Sequence, residues 1–221
     1  LMERPALVAD CVRAMRGATD AEITVKCRIG VDHQDPEEAL PRFLDAVAGA
    51  GVRRVAVHAR KAWLQGLSPR ENREVPPLDY PLVLRMTAAF PGLDISLNGG
   101  VTTLSQVRDL LARGIGGVMV GRAAYHAPYD VLGGADAALW GGPDSPPPHE
   151  VAESMIPYAA AHVAQGGRLH HVTRHMLGLF AGRPGARAWR RALSGAATAA
   201  GAGPEVISAA LREVTALSDA A

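Results

Sequence analysis

Short apolar runs alternate with longer amphipathic stretches along the first 122 residues. Four of the runs have the length and composition of β-strands. They read EITVKCRIG (22–30), RRVAVHAR (53–60), DISLNGG (94–100) and GGVMVGR (116–122). Between them, apolar residues recur every three or four positions, as in amphipathic helices. The pattern predicts four β–α units whose strands form a parallel sheet covered by helices.

Residues typical of helix ends bound the helical stretches. The first helix is predicted to have Pro5 in its first turn, and its apolar stripe comprises Leu7, Val8, Cys11, Val12 and Met15. In the second, Asp35 can cap the start, Pro36 and two glutamates fit the first turn, and Gly51 follows the end. Pro41 is expected to delay or kink that helix. Two more helices are predicted over 81–90 and 103–114, the latter with Leu104, Val107, Leu110 and Leu111 on one face.

The number of β–α units limits the fold class. Four units are half of a (β/α)8 barrel or most of a doubly wound sheet. After residue 140 the composition changes to a Pro/Gly-rich stretch and then to Ala-rich helical sequence. We therefore predict an α/β domain over 1–140, a linker over 141–150, and a small all-helical domain of about four helices over 151–221.

Composition excludes several classes of protein. The chain has 221 residues, 48% of them hydrophobic and 20% charged, which is ordinary for a globular protein. A formal net charge of +1 argues against a uniformly basic nucleic-acid-binding coat. Cys11 and Cys27 are expected to be reduced thiols in a cytoplasmic protein. No apolar run approaches the roughly 18 residues that span a bilayer, so no membrane association is expected.

Polar or glycine-rich residues end all four predicted strands. They are Lys26 and Arg28, His58 and Arg60, Asn98-Gly99-Gly100, and Gly121-Arg122. Ligands of β/α folds lie at the carboxyl ends of the strands, so these residues predict one site. Glycines allow backbone N–H groups to approach an anion, and Arg122 adds a donor suited to phosphate. The alternative for Asn98-Gly99-Gly100 alone is a tight turn without a ligand.

Lys26 and His58 are the residues predicted to act on a bound group. Lys26 points to the site if Cys27, its neighbour on the other strand face, points to the helices. A cation beside an electron-rich ring would stabilise developing negative charge, and His58 could hydrogen-bond the same ring or its phosphate. The alternatives are a solvated lysine and a structural histidine. The spacing of His, Cys, Asp and Glu gives no support for a metal site.

Two regions carry an excess of positive charge. The connection over 58–80 contains Arg60, Lys61, Arg70 and Arg73, and its Trp63 is expected to be exposed. Such a long connection is typical of a functional loop. From Ser154 to Pro204 there is no Asp or Glu, whereas the same span holds six arginines and four histidines. Charge of one sign in a near-neutral chain predicts a nucleic-acid-binding surface; solvated surface residues are the alternative.

Five segments together resemble the tRNA-dihydrouridine synthases, specifically the A subfamily. They are TVKCRIGVDHQD, VHARKAWLQGLSPRENREVPPLDY, SLNGGV, GVMVGRAAY and HVTRHMLGLFAGRPGARAWRRALS. The resemblance implies a (β/α)8 barrel that binds FMN and a C-terminal helical domain that binds tRNA. It further implies that NADPH reduces the flavin, and that the flavin passes hydride to a uridine of the D-loop around position 20.

The resemblance also assigns roles to individual residues. FMN would be bound by Lys26, His58, Asn98, Gly99, Gly100, Gly121 and Arg122, and tRNA, rather than DNA, by Arg70, Arg73, Arg187 and Arg190. The family's catalytic cysteine is expected directly before Leu1, so no catalytic residue is assigned in this chain. The chain is accordingly expected to be the C-terminal part of the enzyme, starting within the barrel and catalytically incomplete by itself. Two alternatives are a non-catalytic RNA-binding fragment and a phosphate-binding barrel enzyme of small-molecule metabolism.

Overall fold

The computed structural model describes residues 1–218. The chain packs as two compact units. The first unit comprises residues 1–101 and 105–120, and the second comprises 102–104 and the chain from Gly121 onward. The division thus follows Val120, whereas the sequence predicts the first domain to extend to residue 140. Residues 121–140 form short helices that pack in the second unit, which accounts for the difference.

Four parallel strands form the centre of the first unit. They are β1 (Val25–Arg28), β2 (Arg54–His58), β3 (Asp94–Asn98) and β4 (Gly117–Met119), paired in the order β1-β2-β3-β4. This confirms the predicted α/β class with a parallel sheet. The register sets Arg28 opposite His58, His58 opposite Asn98, and Asn98 opposite Met119. Each strand is shorter than its apolar run, and β3 ends at Asn98 because Gly99 and Gly100 adopt φ of 111° and 71°.

Four helices belong to these β–α units: α1 (Pro5–Ala18), α2 (Pro36–Gly49), α3 (Tyr80–Ala89) and α4 (Leu104–Ala112). The starts of α2 and α3 are fixed by aspartate caps: Asp35 accepts from the Glu37 N–H (2.9 Å) and Asp79 from the Leu82 N–H (2.9 Å). Helix α2 runs through Pro41 without interruption, so the expected delay is wrong. The fixed φ of proline lies within the helical range, so the chain can continue as a helix with one backbone N–H donor missing.

The two faces of the sheet differ in burial. Cys27, Val55, Val57, Ile95 and Leu97 alternate along three strands and are buried. They lie on the face that the apolar sides of the helices cover. The other face carries Lys26, Ala56, Ser96 and Met119, whose side chains are solvent-accessible or half-buried. Polar strand-end residues therefore lie on the accessible face.

Helix α1 buries a narrower stripe than its sequence predicts. Ala9 and Val12 are buried, and Leu7 and Val8 are half-buried. Cys11 and Met15 are exposed, although both were expected on the apolar stripe. The contact that buries α1 therefore runs through Ala9 and Val12, and Cys11 and Met15 lie outside it.

The second unit is all-helical in the part of the chain that the structure describes. Its helices are α5 (Arg122–His126), α6 (Pro128–Val131), α7 (Ala135–Trp140), α8 (Pro148–Ala164), α9 (His170–Thr173), α10 (Ala186–Gly195) and α11 (Glu205–Ser218). Trp189 lies at the centre, 0% exposed, with its indole N–H donating to the Met176 carbonyl (2.8 Å) and its ring edge-on to Phe180. Helix α8 begins at Pro148, inside the predicted linker.

Candidate functional site

Parallel pairing brings the carboxyl ends of the strands to one edge of the sheet. Arg28, His58 and Asn98 are directly in register at that edge, on three adjacent strands. Lys26 lies one pleat earlier on the same face of β1. The structure therefore brings together the predicted residues of the first unit. Gly121 and Arg122, which were predicted with them, belong to the second unit.

Four cations lie close enough at this edge to affect one another. The pKa of Lys26 is lowered, chiefly by partial burial and further by repulsion from Arg28 and Arg73. Burial likewise lowers the pKa of Arg28, and Arg73 and Arg60 add to the effect. We call Lys26, Arg28, Arg60 and Arg73 the cationic edge. Mutual repulsion of partly desolvated cations is the electrostatic condition under which an anion binds most favourably.

Partly buried hydrogen bonds hold Arg28 in this arrangement. One guanidinium nitrogen of Arg28 donates both to the Asn72 carbonyl (2.7 Å) and to the Lys61 carbonyl (3.0 Å). Arg60 donates to the Pro76 carbonyl, and its Nε is buried without a hydrogen-bond partner among the described residues. Arg28 and Arg60 therefore connect the strand ends to the long loop that follows β2.

Asn72 organises that loop. Its side chain accepts from the Trp63 N–H (2.7 Å) and donates to the carbonyls of Trp63 (2.7 Å) and Leu67 (3.2 Å). Sequence reasoning missed this residue. The only available signal was an uncharged amide within a charged stretch, in the short turn Glu71–Arg73.

The loop after β1 pairs with the loop after β2. Val31 and Ala62 form an isolated parallel bridge, and the Asp32 N–H donates to the Ala62 carbonyl (2.7 Å). Trp63 is half-buried, not exposed as expected, because His33 packs edge-on to its ring and Lys61 lies over it at 5.2 Å. The connection is thus an ordered structure beside the cationic edge.

The glycines after β3 have a packing role. A Cβ on Gly100 would lie 2.5 Å from Leu78 Cδ1 and 3.1 Å from the Tyr80 hydroxyl. A Cβ on Gly99 would lie 3.1 Å from His58 Nε2. The carbonyl oxygen of Gly99 accepts a hydrogen bond from the Tyr80 hydroxyl. The tight-turn alternative therefore accounts for both glycines, and anion binding by their N–H groups stays a prediction. Tyr80 and Leu78 were not singled out in the sequence.

His58 and Asn98 are both fixed by their surroundings. His58 is 8% exposed, and its ring faces the backbone of Gly99. The Asn98 amide donates to the Met119 carbonyl on the next strand (2.7 Å). This bond orients the amide group at the carboxyl edge, and it leaves the Asn98 side-chain oxygen as a further acceptor.

In the second unit, arginines line the outer face of α10. Ala188, Trp189 and Leu193 are buried on the inner face. Arg187, Arg190 and Arg191 are exposed at helical spacing on the other, and Arg191 lies 3.6 Å from Glu213. On the loop of the first unit, Arg70 is also exposed and lies 3.5 Å from Glu74. We call Arg187, Arg190 and Arg191 the arginine face.

A model of the dihydrouridine synthase family matches residues 1–215. The chain belongs to that family. It is 52% identical to the tRNA-dihydrouridine(20/20a) synthase of Shewanella oneidensis over 97% of its length. The identities to the enzymes of the same name from Escherichia coli K12 and Synechocystis sp. are 49% over 97% and 47% over 96%. The chain spans 62–64% of the length of these relatives.

A weaker similarity is found to a solved structure. Nitroalkane oxidase from Streptomyces ansochromogenes aligns with 96% of this chain and 68% of its own, at 16% identity and a TM-score of 0.32. This score is too low to bear on the fold. The assignment to the dihydrouridine synthase family rests on the family model and the close relatives.

Neither cysteine of this chain lies on the accessible face of the sheet. Cys27 is buried on the helix-covered face, where desolvation raises the pKa of its thiol to about 12. Cys11 is exposed on α1. Within residues 1–218, no three His, Cys, Asp or Glu side chains are placed to hold a metal ion. No helix in the same range is both long and apolar enough to cross a bilayer.

The loop depends on Asn72, so Asn72→Ala should lower the free energy of unfolding by about 1–3 kcal/mol, since it leaves buried backbone groups of Trp63 without partners. Urea unfolding measures the loss, and hydrogen exchange should show faster exchange over 63–75. Gln65→Ala, at an exposed position in the same loop, is the matched control. If Asn72→Ala and Gln65→Ala lower the free energy of unfolding by the same amount, the side chain of Asn72 does not stabilise the loop.

The two thiols should differ in reactivity. At pH 8 Cys27, with its pKa near 12, has almost no thiolate, and burial blocks access. We expect an aromatic disulfide reagent to titrate one thiol rapidly in the native protein and both in guanidinium. Cys11→Ser should abolish the rapid phase. If two thiols of the native wild-type protein react rapidly with the reagent, Cys27 is not buried as the structure shows.

Proposed function

We propose that the protein carrying this chain reduces uridine to 5,6-dihydrouridine in the D-loop of cytoplasmic tRNA, around position 20, with FMN as cofactor and NADPH as reductant. Family membership and the names of the relatives support this reaction. The observation that carries the proposal to these residues is the cationic edge, formed at the carboxyl ends of β1 and β2 and in the loop after β2. Family membership also argues against an unrelated enzyme of small-molecule metabolism.

The donor set of the site fits a flavin nucleotide. A phosphate requires cations and N–H donors, and the edge supplies Lys26 and the buried, unpartnered Nε of Arg60. A flavin ring presents carbonyl and nitrogen acceptors, which His58 and Asn98 can address. We assign FMN binding to the residues predicted from the sequence: Lys26, His58, Asn98, Gly99, Gly100, Gly121 and Arg122.

The cofactor, when bound, supplies hydride transfer, and the chain's residues provide the surrounding electrostatics. Lys26 offers a cation on the accessible face of the sheet, suited to stabilising negative charge that develops on an adjacent ring. Arg28 keeps its position through Asn72 and so maintains the positive potential at the edge. Cys27 takes no part as an acid, because its thiol lies on the opposite face.

We infer that the four strands form part of a (β/α)8 barrel and that their accessible face lines its interior. The support is the parallel order β1-β2-β3-β4 together with family membership. The helical part from 151 on is proposed as the tRNA-binding domain, preceded by the linker over 141–150. Arg187 and Arg190 of the arginine face, with Arg70 and Arg73 of the loop, are the proposed tRNA contacts.

The reaction can be tested on an unmodified tRNA transcript. With FMN and NADPH, the protein carrying this chain should form dihydrouridine around position 20, detected by mass spectrometry of nuclease fragments. Lys26→Met should slow formation at least tenfold, since it removes the cation of the site, about 1.4 kcal/mol or more. The control Arg113→Met changes an exposed arginine outside the proposed site. It should leave the rate of dihydrouridine formation unchanged. If the wild-type protein forms no more dihydrouridine than a blank reaction without protein, the proposed reaction is refuted.

Binding of tRNA can be tested on the 221-residue chain itself. The double variant Arg187→Glu/Arg190→Glu should weaken tRNA binding by about tenfold or more in 0.1 M salt and reduce its salt dependence, because phosphate contacts release counterions. Fluorescence anisotropy of labelled tRNA at several salt concentrations measures both quantities. Arg113→Glu is the control. If the two variants bind alike, the arginine face does not contact tRNA.

A further inference from the structure

A groove in the second unit contains aromatic and imidazole rings that the proposed contacts leave unused. It has a volume of about 350 Å³, within the range of pockets for small organic groups. One wall is α8, and the other is formed by α9 and the turns that follow it, over 171–179. All of its lining residues belong to the second unit.

Helix α8 contributes a stripe of side chains to the groove. Val151, Met155, Tyr158 and His162 line it, and their spacing of four, three and four residues places them on one helix face. Tyr158 is 60% exposed, which is unusual for a large aromatic side chain beside an apolar surface. The His162 ring packs on Gly167, where a Cβ would lie 2.2 Å from Nε2. A glycine at 167 is therefore required for this ring position.

The opposite wall has an apolar floor and two accessible imidazoles. Val172, Met176 and Leu179 are buried beneath the groove. His171 and His175 also line it and are exposed. The ring of His171 is edge-on to that of His162, with centroids 6.0 Å apart. The groove is thus a narrow apolar slot with planar polar rings along its rims.

Two neighbours hold the ring of His175 in place. Arg174 Nε donates to His175 Nε2 at 3.0 Å. His175 Nδ1 lies 2.9 Å from the Tyr125 hydroxyl.

The charge around the groove determines what it can bind. Its lining contains no carboxylate, and the sequence from Ser154 to Pro204 has no Asp or Glu. Arg174 flanks one rim and Arg168 is exposed nearby along the chain. A helix of a protein partner would match the apolar floor but would have no use for the fixed rings and uncompensated arginines. A flat heteroaromatic group attached to a phosphate matches all three features.

We propose that this groove binds an unstacked base of the RNA substrate, held by stacking on Tyr158 and the imidazoles of His171 and His175. Arg174 contacts the adjoining phosphate. The inference rests on the proposed function, because it takes tRNA as the ligand. It adds a second kind of contact to the arginine face, one that depends on ring stacking instead of charge.

The test compares three variants of the 221-residue chain for affinity to unmodified tRNA. Tyr158→Ala should weaken binding at least fivefold, the lower bound for loss of one stacked base, whereas Tyr158→Phe should stay within twofold of wild type. Trp140→Ala removes another exposed aromatic of the same unit, 75% exposed and outside the groove, and should also stay within twofold. Circular dichroism establishes that each variant is folded.

Salt dependence separates this inference from the proposed function. Tyr158→Ala should leave the slope of log affinity against log salt unchanged, since stacking releases no counterions. If Arg187→Glu/Arg190→Glu weakens binding but Tyr158→Ala does not, the groove proposal is overturned and tRNA binding stands. If wild type binds no tRNA, both are overturned.

A second measurement probes the groove directly. Adenosine 5′-monophosphate should shift the C2 proton resonances of His171 and His175, assigned through His171→Gln and His175→Gln, and Tyr158→Ala should abolish the shifts. Resonances that do not move at millimolar nucleotide would contradict base binding in the groove.

Discussion

Parallel pairing of β1 to β4 is the constraint on which the candidate site depends. Parallel strands place their carboxyl ends at one edge, so the residues that end them meet whatever their separation in sequence. The register puts Arg28, His58 and Asn98 side by side, although at least 29 residues lie between each pair. The apolar side chains on the other face secure this register, because a slip of one residue would turn Val57 and Leu97 out of the core.

The cationic edge explains why the long loop after β2 is ordered. Cations gathered at a sheet edge repel one another, and backbone carbonyls that accept from their guanidinium groups offset part of that repulsion. Asn72 supplies one such carbonyl to Arg28 while its side chain fixes the loop at Trp63. The same residue thereby links loop structure to the electrostatics of the site. Carbonyls carry no net charge, so they hold the arginines in place without neutralising them, and a positive potential remains for an anion.

The sequence predicted the elements of the fold and most residues of the edge, since strand periodicity and helix caps are local signals. Asp35 and Asp79 begin helices through their own side chains, and such caps are readable from neighbouring residues. Asn72, Tyr80 and Leu78 were missed because their partners are distant: Tyr80 is 19 residues from the Gly99 carbonyl that it contacts. The exposure of Cys11 and the half-burial of Trp63 were also missed, because both depend on which neighbour packs against them.

If the second unit binds RNA as proposed, its arginine face and its groove would serve different aspects of recognition. The arginines on α10 would act through phosphate charge, which every RNA carries and which salt screens. The rings of the groove would act at short range on a base that has left its stack, which only particular RNA folds present. A slot of this kind would discriminate among RNAs that the arginines alone treat alike.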